Sequence, residues 1–326
     1  MESQNVWEKP DYFRRRYIMN IFKRNPNRIK RTREDIIFDT FNYTFMIFLC
    51  VVMLYPFLNT LAISLNDATD SIKGGIYLWP RVFTWYNYEH VFDSSHIFTA
   101  TLTSVLRTVI GTATSLLATA MVAYAISRQE FVLRRSITLI FVLTMYMHGG
   151  LIPEFLLMRN LGLIGTFWVY ILPGVIGVFN LIVIRSFIEG LPQSLFESAK
   201  IDGAGDFTVF FKIVLPLSLP VLATVSLFVA VGQWNSWFDV FIYNSSKVEL
   251  STLQYELMKL LQNSNASMSS RSTAAIHASG QVASANTVTP VSVRATMTIV
   301  ASVPIICVYP FLQKYFVHGL TLGSVK

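Results

Sequence analysis

Glu197-Ser198-Ala199-Lys200-Ile201-Asp202-Gly203-Ala204, followed by Ile213-Val214-Leu215-Pro216, forms a short polar helix-turn-helix pattern wedged between two long apolar segments. Ala199 is small enough to let another surface approach closely, Gly203 frees the backbone for a sharp turn, and Leu215-Pro216 sets the entry of the next helix. The pattern reads as a docking surface between two membrane spans rather than as a span. The apolar segments on either side then decide the fold class.

Composition demands a membrane. Of 326 residues, 53% are hydrophobic and 14% charged, with a mean hydropathy of +0.48, against roughly 25% charged residues in soluble domains. Six segments, near residues 41–64, 98–126, 136–157, 165–188, 216–240 and 294–316, reach the roughly 20 apolar residues needed to cross about 30 Å of hydrocarbon. Pro153, Pro173, Pro304 and Pro310 imply kinks or broken ends, and His148-Gly149-Gly150 and Glu154 interrupt the third segment. The expected fold is all-α: a polytopic membrane protein with six transmembrane helices and a short docking helix between the fourth and fifth, on the coupling stretch quoted above. Cys50 and Cys307 lie inside apolar runs without metal or redox spacing, so buried packing is their expected role.

Charge sets the orientation. The first 38 residues carry ten basic and five acidic side chains, an excess that places the N-terminus in the cytoplasm. Arg128, Arg134 and Arg135 then fall inside, with the 190–215 loop, and the loop carrying Lys73 and Arg81 falls outside. The expected organisation is a basic cytoplasmic tail over 1–38 and a transmembrane domain over 39–326, with both termini cytoplasmic and an extracellular loop over about 241–293. In that loop Leu253, Leu257, Leu260 and Leu261 form an amphipathic stripe ahead of a low-complexity run from Ser264 to Ser284. The basic tail has no zinc spacing and no nucleic-acid reader motif, so no nucleic-acid partner is expected. Anionic membrane lipids are. No small-residue cleavage site follows the first apolar run, which reads as an uncleaved anchor.

The motif resembles the coupling loop of bacterial ABC-importer permeases, written E-A-A, three residues, G, nine residues, I-x-L-P. Every position matches in spacing, and one letter departs, Ser198 for alanine. Asn160-Leu161-Gly162-Leu163, Trp234-Asn235 and the run from Gln313 to Lys326 are similar to the carbohydrate-uptake branch, the type that includes the second permease of the maltose importer. Ile76-Tyr77-Leu78-Trp79-Pro80 and Trp234-Asn235-Ser236-Trp237-Phe238-Asp239 resemble permeases of oligosaccharide and uronide systems.

The resemblance implies a sugar importer subunit that works by alternating access in the bacterial cytoplasmic membrane. Its implied partners are a second homologous permease in a heterodimer, a cytoplasmic ATPase dimer and an extracellular or periplasmic sugar-binding protein received by the 241–293 loop. The chain has no G-x-x-x-x-G-K-[ST] phosphate loop, so ATP and Mg belong to the partner ATPase, and no cofactor is expected on this chain. Glu197, Ser198, Ala199, Asp202, Gly203, Ala204, Ile213, Leu215 and Pro216 are the implied ATPase-coupling residues. Glu197 would pair with a basic ATPase residue, Asp202 would cap the second short helix, and Phe207, Phe210 and Phe211 would anchor the loop on its own bundle or on the ATPase. An amino-acid or peptide permease, or an ion-coupled secondary transporter, is the alternative. No catalytic or metal constellation is visible.

Polar groups inside spans must face protein or water. Arg107 either lines the sugar path, where a guanidinium could hold a carboxylate or hydroxyls, or pairs structurally with Glu154 or a helix-end carbonyl. Asn180, Gln233 and Asn235 either bond sugar hydroxyls or join helices to one another. Arg185 is expected to snorkel toward the cytoplasm, and His148 to be a packing residue.

Overall fold

The computed structural model describes residues 32–93, 95–147, 149–270 and 289–322. The basic stretch 1–31, His148, the Ser-rich residues 271–288 and the last four residues, with their expected roles, lie outside the described residues. The chain divides into two units, Met1–Pro56 and Phe57–Lys326. The described residues are helical apart from turns and one isolated bridge between Asn66 and Phe83.

The first helix, α1, runs Arg33–Ser64 and contains the first expected span. Thr40 and Thr44 bond back to the carbonyls four residues earlier, and Pro56 stands inside the helix. Two short helices follow, α2 (Ala68–Ile72) and α3 (Tyr86–Asp93). Asp67 caps α2 by accepting from the Thr69 and Asp70 amides. The Thr69 hydroxyl, above all, holds the Asp67 carboxyl below its usual range. Asn59 donates to the carbonyls of Ile76 and Tyr77, at 2.7 and 2.9 Å, tying this loop back beside the last turns of α1.

The second span is α4, Ser95–Ser127. The third and fourth expected spans are not continuous helices. The 136–157 segment divides into α5 (Arg134–Tyr146) and α6 (Leu151–Asn160), because Gly150 takes a φ of +88° at the break. The 165–188 segment divides into a 3-10 turn at Phe167–Tyr170 and α7 (Val178–Glu189), around Pro173-Gly174. Then come α8 (Gln193–Ile201), α9 (Asp206–Val209), a π turn at Phe210–Val214, α10 (Leu215–Leu217) and α11 (Leu219–Asn235). The pieces Asp206–Leu217 and Leu219–Asn235 meet at 79°. Next are α12 (Phe238–Tyr243), α13 (Leu253–Ser270) and α14 (Pro290–Leu322). Among the described residues three helices are long and apolar enough to cross a membrane, or four if the bent pair counts as one span.

Two packed clusters mark the two ends of α4. At its C-terminal end Ala123, Tyr124, Ile184, Phe196, Phe210 and Val214 pack together. At its N-terminal end Ile97, Trp234, Leu253, Leu257 and Met297 do so, with Leu260 and Leu261 partly buried beside them, and the Trp234 indole donates to the Ala301 carbonyl at 3.0 Å. The leucine stripe of α13 thus packs on the bundle, and the Leu253 amide donates to Ser104 Oγ at 2.9 Å. Some 24 residues separate Ser104 from Arg128, roughly 36 Å of helix, so the starts of α8 and α13 lie toward opposite ends of α4. Cys50 and Cys307 are both exposed, not buried. An apolar helix in hydrocarbon is shielded from water without protein cover, so an apolar run does not imply a protein-packed thiol.

Candidate coupling surface and translocation cavity

The coupling stretch lies on an amphipathic helix of about two and a half turns with a defined stop. On α8, Phe196 and Ala199, three residues apart, are buried, while Glu197, Ser198, Lys200 and Ile201 face outward. The helix ends in a Schellman motif: the Ala204 amide reaches the Ala199 carbonyl at 2.9 Å and the Gly203 amide the Lys200 carbonyl at 3.0 Å. That closure needs Gly203 in the left-handed region, at φ +76°. Asp202 is therefore the C-terminal cap residue of the first helix and not the cap of the second. Gly205 occupies that cap position, with Asp206 in the first turn.

Beyond the turn, Phe210 is the anchor. It is 2% exposed and lies 5.6 Å from the Tyr124 ring and 4.9 Å from Phe211, whereas Phe207 stands 70% exposed. In the π turn the Leu215 amide bonds the Phe210 carbonyl five residues back, just before Pro216, which has no amide to give. Ile213 and Leu215 are half-buried against this core and Pro216 is exposed.

A second loop holds α8 in place. Lys200 Nζ lies 2.7 Å from Glu130 Oε1, and the Arg128 guanidinium sits 3.7 Å above the Phe196 ring. Their hydrogen bond lowers the Glu130 carboxyl below its ordinary range and raises the Lys200 ammonium. Tyr124, Arg128, Phe131, Asp206, Phe207 and Phe210 help line a cavity of about 450 Å³ at this junction. Glu197 makes no ion pair among the described residues.

The second site is a cavity of about 340 Å³ within the bundle, lined in part by Arg107, Glu154, Tyr170, Asn180, Gln233, Ser236, Asp239 and Tyr243. Three of the four expected path residues meet here, and Asn235 does not: it is exposed on α11 and absent from the lining. Arg107 does not pair with Glu154. It forms a two-pronged ion pair with Asp239, with one prong at 3.0 Å from Nη1 to Oδ1 and the other from Nη2 to Oδ2. Arg107 Nε donates to Gln233 Oε1 at 2.8 Å, Nη1 also donates to the Ser236 carbonyl at 3.3 Å, and the guanidinium lies 4.8 Å from the Tyr170 ring centroid. With Arg107 2% exposed, a buried cation is fully committed to protein groups.

Gly111 allows this approach of α4 to α11. A Cβ there would stand 3.0 Å from the Gln233 side chain that Arg107 holds. Asp239, Tyr170 and Tyr243 carried no signal of their own in the sequence, since Arg107 and Asp239 are 132 positions apart. A carboxylate at the end of an apolar run, needing a cation, was the available clue. Arg185 does not simply snorkel: it bonds Glu189 at 2.9 Å and the Thr138 hydroxyl at 2.8 Å, joining α7 to α5.

A bent span leading into a polar cavity, beside an amphipathic helix on a glycine stop, defines the class of a membrane transport permease. The family model for the inner membrane component of binding-protein-dependent transport systems matches residues 115–322, and the chain belongs to that family. It is similar to the polygalacturonan/rhamnogalacturonan transport system permease protein YtcP of Bacillus subtilis (strain 168), 36% identical over 90% of this chain and 99% of that protein. It is also similar to the arabinooligosaccharides transport system permease protein AraQ of Halalkalibacterium halodurans, 28% identical over 88% of this chain and 95% of that one. Among solved structures, a chain of a bacterial ABC transporter involved in the import of the acidic polysaccharide alginate superposes with a TM-score of 0.77 at 27% identity, covering 88% of this chain and 99% of that chain.

Proposed function

We propose that this chain is one permease subunit of an ATP-driven importer that moves an oligosaccharide inward across the bacterial cytoplasmic membrane. The observation that carries the reading is the coupling stretch itself. The stretch from Glu197 to Pro216 folds as helix, glycine turn and helix, with Ala199 on the bundle and Glu197, Ile201 and Phe207 directed away from it, Ile201 being 86% exposed. An outward apolar and acidic face at the end of a bundle fits a protein partner with a complementary basic cleft, here an ATPase dimer that holds ATP and Mg. Relatives that transport oligosaccharides support a sugar cargo.

In this reading α5 with α6, and the Phe167–Tyr170 turn with α7, each make one broken crossing. Added to α1, α4, the α11 region and α14, they give six. The breaks then line a water-filled cavity, where unpaired backbone is tolerated. The basic tail over 1–38, the coupling loop and the C-terminus face the cytoplasm, and the 241–293 region faces the sugar-binding protein outside. A second, homologous permease completes the cavity. Closure of the ATPase dimer would favour the outward-facing arrangement of two rigid halves.

The experiment is uptake of labelled oligosaccharides into proteoliposomes holding both permeases and the ATPase, with the binding protein added outside. ATP-dependent accumulation that is lost in Glu197→Lys supports the reading. Accumulation of amino acids or peptides instead, or sugar uptake driven by an ion gradient without ATP, would overturn it.

A further inference from the structure

The last charged residue of α1 is Asp39, and Asn59 lies 20 residues further along the same helix. That is a rise of about 30 Å, the thickness of the hydrocarbon layer of a bilayer. A span seated with Asp39 at one boundary therefore places Asn59 at the other. There the single side-chain nitrogen of Asn59 donates to two successive carbonyls, those of Ile76 and Tyr77. Water would satisfy both carbonyls of an ordinary surface loop, whereas at the edge of hydrocarbon each needs a donor from the protein. The same bonds draw the loop back along α1 to a level about 7.5 Å short of its end at Ser64.

The loop sorts its side chains into two sets. The charged and amide groups close on one another: Arg81 donates from Nε to Asp70 at 2.9 Å and from Nη2 to the Gly74 carbonyl at 2.7 Å, and the buried Asn66 side chain donates to Ser71 Oγ at 3.0 Å and accepts from the Val82 amide at 2.9 Å. The return of the loop is fixed as well, with the Thr84 amide on the Leu65 carbonyl at 2.9 Å and the Asp67 amide on the Val82 carbonyl at 2.8 Å. The apolar set stands outward on this stiff frame. Tyr77, Leu78, Trp79, Phe83 and Trp85 are all exposed, Trp79 to 83%, and Phe83 and Trp85 meet edge to face with ring centroids 5.5 Å apart.

We propose that residues 76–85 form an interfacial anchor: a loop seated in the headgroup–hydrocarbon boundary at the C-terminal end of α1, with Tyr77, Leu78 and Trp79 turned into the lipid and Asn59 holding the loop at that depth. Its partner is the lipid surface. Tyrosine and tryptophan settle at this level because the ring body is apolar while the hydroxyl or indole N–H reaches the headgroups. The inference depends on α1 crossing the membrane, and neither on the cargo nor on which side the N-terminus lies.

The test uses the assembled importer in nanodiscs of phosphatidylethanolamine and phosphatidylglycerol, with Cys50→Ala and Cys307→Ala in this chain, no cysteine in its partners, and one nitroxide-labelled cysteine. Power saturation of the spin resonance gives collision rates with oxygen, which concentrates in hydrocarbon, and with neutral nickel ethylenediamine diacetate, which stays in water. At Trp79→Cys, or at Tyr77→Cys should the first not assemble, the oxygen-to-nickel ratio is expected to stand severalfold above that at Lys73→Cys, an exposed position within the charged set. Asn59→Leu, with Asn59→Ala as the second variant, is expected to bring the ratio at position 79 down toward that at 73, because the two freed carbonyls then seek water. A ratio at 79 equal to that at 73 means a loop in water, and low collision rates with both reagents mean a protein laid over it, the second permease or the binding protein. Either result overturns the proposal, and a ratio unmoved by loss of the Asn59 amide overturns the role given to that residue.

Discussion

Replacing Asp239 by alanine should destabilise the protein more than almost any other single change in the bundle. The substitution leaves the Arg107 guanidinium, with a side chain 3% exposed, without its carboxylate. Breaking a buried pair on one side costs about 3–5 kcal/mol, because the remaining charge stays desolvated. Gln233 and the Ser236 carbonyl still accept from Arg107 and offset part of this, so about 3 kcal/mol is expected. Removing both partners, as Arg107→Met with Asp239→Ala, deletes the stranded charge and should restore most of the loss, giving a coupling energy of at least about 2 kcal/mol. Reversible unfolding of the purified protein in mixed micelles, followed by tryptophan fluorescence as denaturing detergent is titrated in, would measure all four corners of the cycle. Losses that simply add, or an Asp239→Ala penalty below about 1 kcal/mol, would refute the view that these two groups form a closed, desolvated unit.

Gly203→Ala forces a side chain into the left-handed region and should weaken the α8 stop by about 1 kcal/mol. Gly203→Pro removes the amide that closes the motif and should abolish ATP-dependent uptake while surface expression persists, which quantitative membrane fractionation would check. The Lys200–Glu130 link should depend on pH with a defined sign. The Glu130 carboxyl is lowered on folding, so its contribution is present above the ordinary carboxylate range and is lost as pH falls through the lowered value. Crosslinking between cysteines placed at positions 130 and 200 cannot report this, since it removes both charges. Exchange of the α8 amides should: it should quicken in wild type on acidification, after correction for intrinsic rates, and not in Glu130→Gln. Replacing Ser264 to Ser284 by a short Gly-Ser linker should leave basal ATP hydrolysis intact and diminish its stimulation by loaded binding protein. Full stimulation would reduce that stretch to a connector.

What the sequence revealed and what it withheld divide by range. The helix stop at Gly203 was legible because its chemistry is local: Ala199, Gly203 and Ala204 lie within six residues, and a Schellman closure is a property of that window. The same window misled on Asp202, since an acidic residue before a short helix resembles an N-cap, whereas Gly203 had already used the preceding position as a helix end. The stripe from Leu253 to Leu261 was legible for the same reason, as a period on one helix. The broken segments were marked by Gly149-Gly150 and Pro173-Gly174, but hydropathy sums over a window and hides a break inside it. The cavity was only half legible. Arg107, Asn180, Gln233 and Glu154 announced themselves as polar groups in apolar runs, while Asp239, Tyr170 and Tyr243 joined them through contacts between distant parts of the chain. Asn235, two positions beyond Gln233, points elsewhere, because residues two apart on a helix are separated by about 200° of rotation.

The grip of Glu130 and Arg128 on α8 gives the coupling surface two roots instead of one. A helix fastened only through its own ends would hand any displacement to α7 and to the π turn ahead of α11. Here the salt bridge and the ring contact also join it to the segment leaving α4, the helix that carries Arg107 some twenty positions away. On the proposed reading, a partner that shifted α8 would pull on both walls of the cavity in the same stroke, and the relative stiffness of the two attachments would set how the motion is shared. Loosening one root would not silence the machine. It would skew the stroke, leaving a permease that still answers its partner but opens lopsidedly.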